Sequence, residues 1–116
     1  MKKPQVKFTP EQFAAYQKLV QTNLKIELKG ATMPYTSLNG NMFSFLSESG
    51  LALRLPEKER EMFIKKYQTK LHVSGQSVLK EYADVPAKLL KNTKELKKYF
   101  DISWKYVQTI RPKSKK

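Results

Sequence analysis

Few residues in this chain are of types that carry chemistry. There is one histidine, His72, and no cysteine among 116 residues. A histidine acting as general base needs an orienting partner and a nucleophile close by in space. The serines Ser37, Ser44, Ser47, Ser49, Ser74 and Ser77 sit in no recognisable nucleophile elbow. His72 falls between two expected elements, so it reads as a loop or surface histidine. The lack of cysteine excludes disulfides, thiolate nucleophiles and cysteine-metal sites, and one imidazole supplies no histidine cluster for zinc. Glu57, Glu59 and Glu61 stand together at an expected helix start. There they suit the positive end of the helix dipole, and Glu61 can pair with Lys65 one turn on. Glu81 and Asp84 lie three apart on an expected strand and point to opposite faces, so they form no paired carboxylate site. Gly30, Gly40, Gly50 and Gly75 are scattered at turn positions and make no phosphate-cradling loop. The expectation is a protein with no catalytic residue, no metal site and no cofactor, and not an enzyme.

Charge is the unusual quantity. Lys and Arg number 23 against 10 Asp and Glu, a net +13. Residues 1–58 hold 8 basic and 4 acidic groups, a net +4, and residues 59–116 hold 15 and 6, a net +9. A basic half points to a polyanionic partner, nucleic acid first and an anionic membrane surface second, or to a surface charged for solubility. The cations gather at the end of the chain. Lys94, Lys98 and Lys105 share the polar face of an expected helix, and Arg111, Lys113, Lys115 and Lys116 follow it. These seven are the candidate anion contacts. Arg, Asn and Gln side chains that read base edges are scarce among them, so any nucleic-acid binding is expected to have weak sequence preference. Trp104 and Tyr106 sit at the two edges of that helix's apolar stripe, and aromatics beside lysines are candidate partner contacts. Phe43 and Phe45 alternate on a strand and read either as a stacking platform for bases or as core under the helices.

The elements that position these residues follow from periodicity. Thr9-Pro10-Glu11-Gln12 combines a capping Thr, Pro at the first helical position and Gln three residues after the cap. It predicts a helix over about Pro10–Asn23 with Phe13, Tyr16, Val20 and Leu24 inward. Leu24, Ile26 and Leu28 then alternate with Lys25, Glu27 and Lys29, which predicts a strand stopped by Gly30. Asn39-Gly40 predicts a two-residue hairpin between strands at Pro34–Leu38 and Met42–Ser47. Glu48-Ser49-Gly50 turns into a strand at Leu51–Leu55. Pro56 opens a helix whose apolar face is Phe63, Ile64, Tyr67 and Leu71. His72–Gln76 reads as a loop, Val78–Val85 as a strand, and Pro86–Leu90 as a helical turn. Asn92 caps a last helix over about Thr93–Ile110, with Leu96, Tyr99, Phe100, Val107 and Ile110 on its buried face.

No run of about 18 apolar residues is present, so no transmembrane helix is expected. Met1–Phe8 is basic with no apolar stretch behind it, which argues against a secretory signal. These features predict a cytoplasmic protein of one domain, with an ordered core over residues 9–111 and a basic tail at 112–116. The predicted fold is α+β: an antiparallel meander and hairpin sheet with helices packed on one face.

Between Met33 and the end, the ordered series Leu38-Asn39-Gly40-Asn41-Met42-Phe43, Leu51-Ala52-Leu53-Arg54-Leu55-Pro56, Lys80-Glu81-Tyr82, Val85-Pro86 and Trp104 resembles the N-terminal domain of the TfoX/Sxy family of bacterial competence regulators. The resemblance covers roughly residues 10–112. Ala31-Thr32-Met33-Pro34 stands where that family usually has a Met-Phe-Gly-Gly-like stretch. The family's regulators carry a second, C-terminal domain that this chain does not show, so it resembles the stand-alone members. The resemblance implies a regulatory or adaptor domain acting through a protein partner, with a link to transcription, and carries over no active-site residues. The alternative function is weakly sequence-specific nucleic-acid binding through the last helix and tail.

Overall fold

The computed structural model describes residues 8–30, 33–47, 50–74 and 76–110. Helix α1, Pro10–Val20, begins with a reciprocal capping box. The Gln12 amide donates to Thr9 Oγ1 at 3.0 Å, and the Thr9 amide donates to Gln12 Oε1 at 2.9 Å. Two free donors of the first turn are thereby satisfied. The helix stops at Val20, earlier than the sequence predicts, and the Thr22 hydroxyl donates back to the Leu19 carbonyl at 2.7 Å.

The predicted strand at Leu24–Lys29 does not form. Asn23 Oδ1 accepts from the Lys25 amide at 2.9 Å, and the Ile26 amide donates to the Asn23 carbonyl at 3.0 Å. This Asx-type turn replaces extended pairing. The alternation is broken with it: Ile26 is buried, while Leu24, expected on the same side, is 94% exposed. A lone bridge joins Lys29 to Tyr35. Between them Gly30 adopts φ +89°, and a Cβ there would meet the Met33 carbonyl at 2.5 Å, so only glycine fits.

Five strands among the described residues form one antiparallel sheet in the order β1-β2-β3-β5-β4. They are β1 Tyr35–Leu38, β2 Asn41–Ser47, β3 Gly50–Arg54, β4 Leu71–Ser74 and β5 Ser77–Asp84. Asn39 and Gly40, at φ 55° and 83°, make the β1–β2 turn as the sequence predicts. Glu48 and Ser49, in the turn predicted before β3, lie outside the described residues.

Register along β1–β2 slips once. Thr36 faces Ser44 but Ser37 faces Met42, which leaves Phe43 as an extra residue in a β-bulge. The bulge breaks the alternation. Phe43 turns to the helices, with its ring centroid 5.8 Å from those of Phe100 and Trp104. Phe45 turns to the opposite face, against His72 and Tyr82. The shared aromatic platform considered for Phe43 and Phe45 is therefore split between two faces, and both rings are buried.

The helices pack on one face. Helix α4, Thr93–Thr109, crosses β2 and β3; α1 and the short α3, Ala87–Leu90, pack on α4; α2, Glu57–Tyr67, packs on β5. Helix α2 carries Glu57 and Glu59 in its first turn and Lys65 and Lys66 in its last, as the dipole favours. It ends before Leu71 because Gln68 turns to φ 54°. The amides of Gln68 and Thr69 both return to the Ile64 carbonyl, closing the helix end. Leu71, expected on that helix, starts β4 instead. The α2–α4 joint is aromatic: the Tyr99 ring meets Phe63 and Tyr67 edge-on, and the Tyr67 hydroxyl donates to Glu95.

Two polar contacts tie helices to the sheet inside the core. The Ser103 hydroxyl on α4 donates to the Phe43 carbonyl at 3.2 Å, and both residues are fully buried. The Tyr16 hydroxyl on α1 meets Ser44 Oγ at 2.6 Å, and Ser44 in turn meets Thr36. Burial pushes the Tyr16 hydroxyl well above the ordinary tyrosine range.

Replacing Ser103 with Ala strands the Phe43 carbonyl in the core, and urea denaturation should show a loss of about 1–3 kcal/mol. Tyr16 also sets an alkaline limit. Its folded value is raised, so its contribution is complete below the ordinary tyrosine value of 10.0 and is lost as pH rises beyond it. Tyr16→Phe should lower stability at neutral pH by about 1 kcal/mol and flatten the decline above that pH. An unchanged alkaline slope would show that another group governs it.

Candidate functional site on the terminal helix

Helix α4 is built from both ends of its amphipathic pattern. Asn92 caps it, with its side-chain oxygen accepting from the Glu95 amide at 3.2 Å. Leu96, Phe100, Ser103 and Val107 are its buried stripe. At 100° per residue, Lys94, Lys98 and Lys105 fall within about 40° of arc on the opposite side. All three are exposed, as the sequence predicts. They span about 16 Å of helix at 1.5 Å per residue. Lys97 pairs with Asp101 at 2.8 Å one turn on. The face is therefore cationic, and its acidic residue is already neutralised. Arg111, Lys113, Lys115 and Lys116 lie outside the described residues.

Trp104 and Tyr106 are both half-buried edge residues, but the structure does not bring them together. Tyr106 lies on the side of Arg54, Glu81 and Arg60, where burial and then the nearby Glu81 carboxylate raise its hydroxyl above the usual range. Arg54 there donates to Glu81 at 2.7 Å and to the Met42 carbonyl at 3.2 Å, and lies over the Tyr82 ring. Tyr106 thus borders a network occupied with holding β3 to β5. Trp104 lies on the other side, against Phe43, and faces the turn after α1.

A groove of about 530 Å³ runs between that turn and α4, lined by Leu24, Lys25, Lys97, Asp101, Trp104 and Lys105 among others. Periodicity alone places Leu24 in the core and Lys25 on a strand's wet face, so it gives neither a place in a site. The available signal was Asn23, which favours an Asx turn directly after a helix.

His72 corrects a second expectation. It lies on β4, not in a loop, and is 3% exposed. Its Nδ1 meets Asp84 Oδ1 at 2.7 Å, and its ring packs edge-on to Phe45 at 4.9 Å. An imidazole held by a carboxylate is the geometry of an oriented base. Here, among the described residues, its contacts are a carboxylate and a phenyl ring, and no hydroxyl is bonded to it. Glu81 and Asp84 serve separate partners, Arg54 and His72. Among the described residues no three His, Asp or Glu side chains gather as a metal site, and no helix is long and apolar enough to cross a membrane.

Compared with models of protein families, with curated proteins and with solved structures, the chain matches none.

His72→Ala removes the ring from Phe45 and leaves the Asp84 carboxylate without its imidazole. The expected loss is about 1–3 kcal/mol in a urea melt. Anion binding by the α4 lysines should be unchanged, because His72 lies on the far side of the sheet. A variant of unaltered stability would show that the ring contributes nothing to the core.

Proposed function

We propose that this protein is a non-enzymatic regulatory or adaptor domain that works in the bacterial cytoplasm by holding an acidic protein partner on α4. The observation that carries the reading is the exposed arc of Lys94, Lys98 and Lys105, with Asp101 beside it already paired to Lys97. Such a face concentrates an anionic partner and speeds its encounter. The resemblance of the series from Leu38 to Trp104 to the TfoX/Sxy N-terminal domain supports a regulatory role linked to transcription.

Nucleic acid is the second reading. The same three lysines precede Arg111, Lys113, Lys115 and Lys116 in sequence, and together they would follow a phosphate backbone with little base preference.

Fluorescence anisotropy separates the two. A labelled polyglutamate peptide and a labelled DNA duplex are each titrated with protein at about 50 and 200 mM salt. The adaptor reading expects the peptide to bind at lower protein concentration than the duplex. The triple variant Lys94→Glu, Lys98→Glu, Lys105→Glu should weaken it at least about tenfold without loss of helix by circular dichroism. Tighter duplex binding that falls by two to three decades over that salt range would install nucleic acid as the partner, consistent with about five phosphates neutralised. Binding to neither would reduce the cations to solvated surface.

A further inference from the structure

The groove beside α4 has a chemistry that charge alone does not need. Leu24 is the most exposed large apolar residue among those described, at 94%. It stands there by construction. Asn23 closes a turn onto the Lys25 amide, Ile26 is drawn into the core, and Leu24 is pushed outward between them. Trp104 forms part of the opposite wall, anchored from beneath by Phe43 and partly exposed above. An exposed leucine across a groove from a partly exposed indole packed on the core gives the groove two apolar walls.

Among the described residues, the unpaired charges lining this seat are of one sign. Lys25 stands next to Leu24, and Lys105 next to Trp104. Neither makes an ion pair among the described residues. Asp101, the acidic residue lining the groove, is held by Lys97 at 2.8 Å. The volume of about 530 Å³ lies within the size range of small-ligand sites and accommodates one large side chain with its flanking backbone. A phosphate backbone would satisfy the lysines but leave Leu24 in water. A neutral apolar segment would cover Leu24 but desolvate the lysines without compensation. A peptide with acidic residues on both sides of one large apolar residue satisfies both.

We infer that the groove between residues 22–25 and α4 docks an acidic peptide segment of a protein partner, with one aromatic or aliphatic side chain seated between Leu24 and Trp104 and its carboxylates on Lys25 and Lys105. This rests on the adaptor reading of α4 and adds the anchor that makes the site selective. Charge on Lys94 and Lys98 brings the partner in; the seat beside Trp104 decides which segment stays.

Trp104 is the sole tryptophan of the chain, so its emission reports directly on the seat. The probe is a synthetic peptide of about 12 residues, made of Glu, Asp and Ser with one central Phe and no Trp or Tyr, long enough to cross the site in extended form. The control peptide carries Ser in place of Phe. An unlabelled single-stranded oligonucleotide is the third titrant. Docking predicts a saturable blue shift of Trp104 emission with the Phe peptide, and at least about tenfold weaker binding for the Ser peptide. Leu24→Ser and Lys105→Glu should each weaken the Phe peptide to a similar extent. Leu24 is almost fully exposed, so Leu24→Ser should leave the thermal midpoint unchanged, and the variant tests the seat without unfolding the protein.

If both peptides bind equally by anisotropy, or Leu24→Ser binds as the wild type does, the seat is overturned while charge-driven docking on α4 stands. If neither peptide binds, the seat and the adaptor reading fall together. If the oligonucleotide alone shifts the emission, the groove holds a stacked base and the peptide proposal is overturned.

Discussion

One hydrogen bond between distant parts of the chain organises the molecule. The bulge at Phe43 leaves that residue outside the regular β1–β2 pairing, with its carbonyl turned toward the helix layer. A buried carbonyl left without a donor would be destabilising by an amount comparable to a lost hydrogen bond. Ser103, sixty residues away in sequence, supplies the donor from the centre of α4. The same bulge aims the Phe43 ring between Phe100 and Trp104. The backbone irregularity, its polar compensation and its apolar wedge therefore all lie at one contact. They set where α4 sits on the sheet, and the positions of Trp104 and the lysine arc follow.

That placement lets one helix serve two purposes. Its stripe of Leu96, Phe100, Ser103 and Val107 is consumed by the core, which turns Lys94, Lys98 and Lys105 outward on a helix capped at its start by Asn92. The edges are not equivalent. On the Tyr106 side, Arg54, Glu81 and Tyr82 close against the sheet. On the Trp104 side, the early stop of α1 and the Asn23 turn leave a groove with Leu24 standing beside it. The difference between a sealed edge and an open one comes from a short turn far from α4 in sequence.

The sheet's other face is covered by its own side chains. Phe45, Ala52 and Asp84 lie in register on β2, β3 and β5, and His72 from β4 reaches Asp84 and the Phe45 ring. Ala52, with no side chain beyond Cβ, leaves room for the rings on either side. Reaching that position requires the register break between Leu71 and His72, where β4 slips relative to β5. A histidine flanked by a glycine-containing turn looks like a loop residue on local grounds. Its burial depends on partners twelve and more residues away, which no local pattern contains.

The sequence by itself determined the elements whose signals are local and mutually consistent. The Thr9 capping box, the Asn39-Gly40 hairpin and the amphipathic α4 appear where periodicity and capping put them, and the strands expected at Leu51–Leu55 and Val78–Val85 form one residue earlier, as Gly50–Arg54 and Ser77–Asp84. The cationic arc of Lys94, Lys98 and Lys105 and the edge positions of Trp104 and Tyr106 were legible too, because helical geometry converts spacing into direction. Only the tertiary structure decided what depends on competition between local and distant partners. Leu24, Ile26 and Leu28 have a strand's alternation, but the Asn23 side chain holds the backbone in a turn, and among the described residues only the Lys29–Tyr35 bridge pairs this segment. Phe43 and Phe45 have period-two spacing, but the bulge sent them to opposite faces. His72 and Leu71 follow a helix, but the αL turn at Gln68 delivered them to the sheet edge. In each case the residue types allowed two outcomes of similar local energy, and contacts formed only in the folded chain selected one.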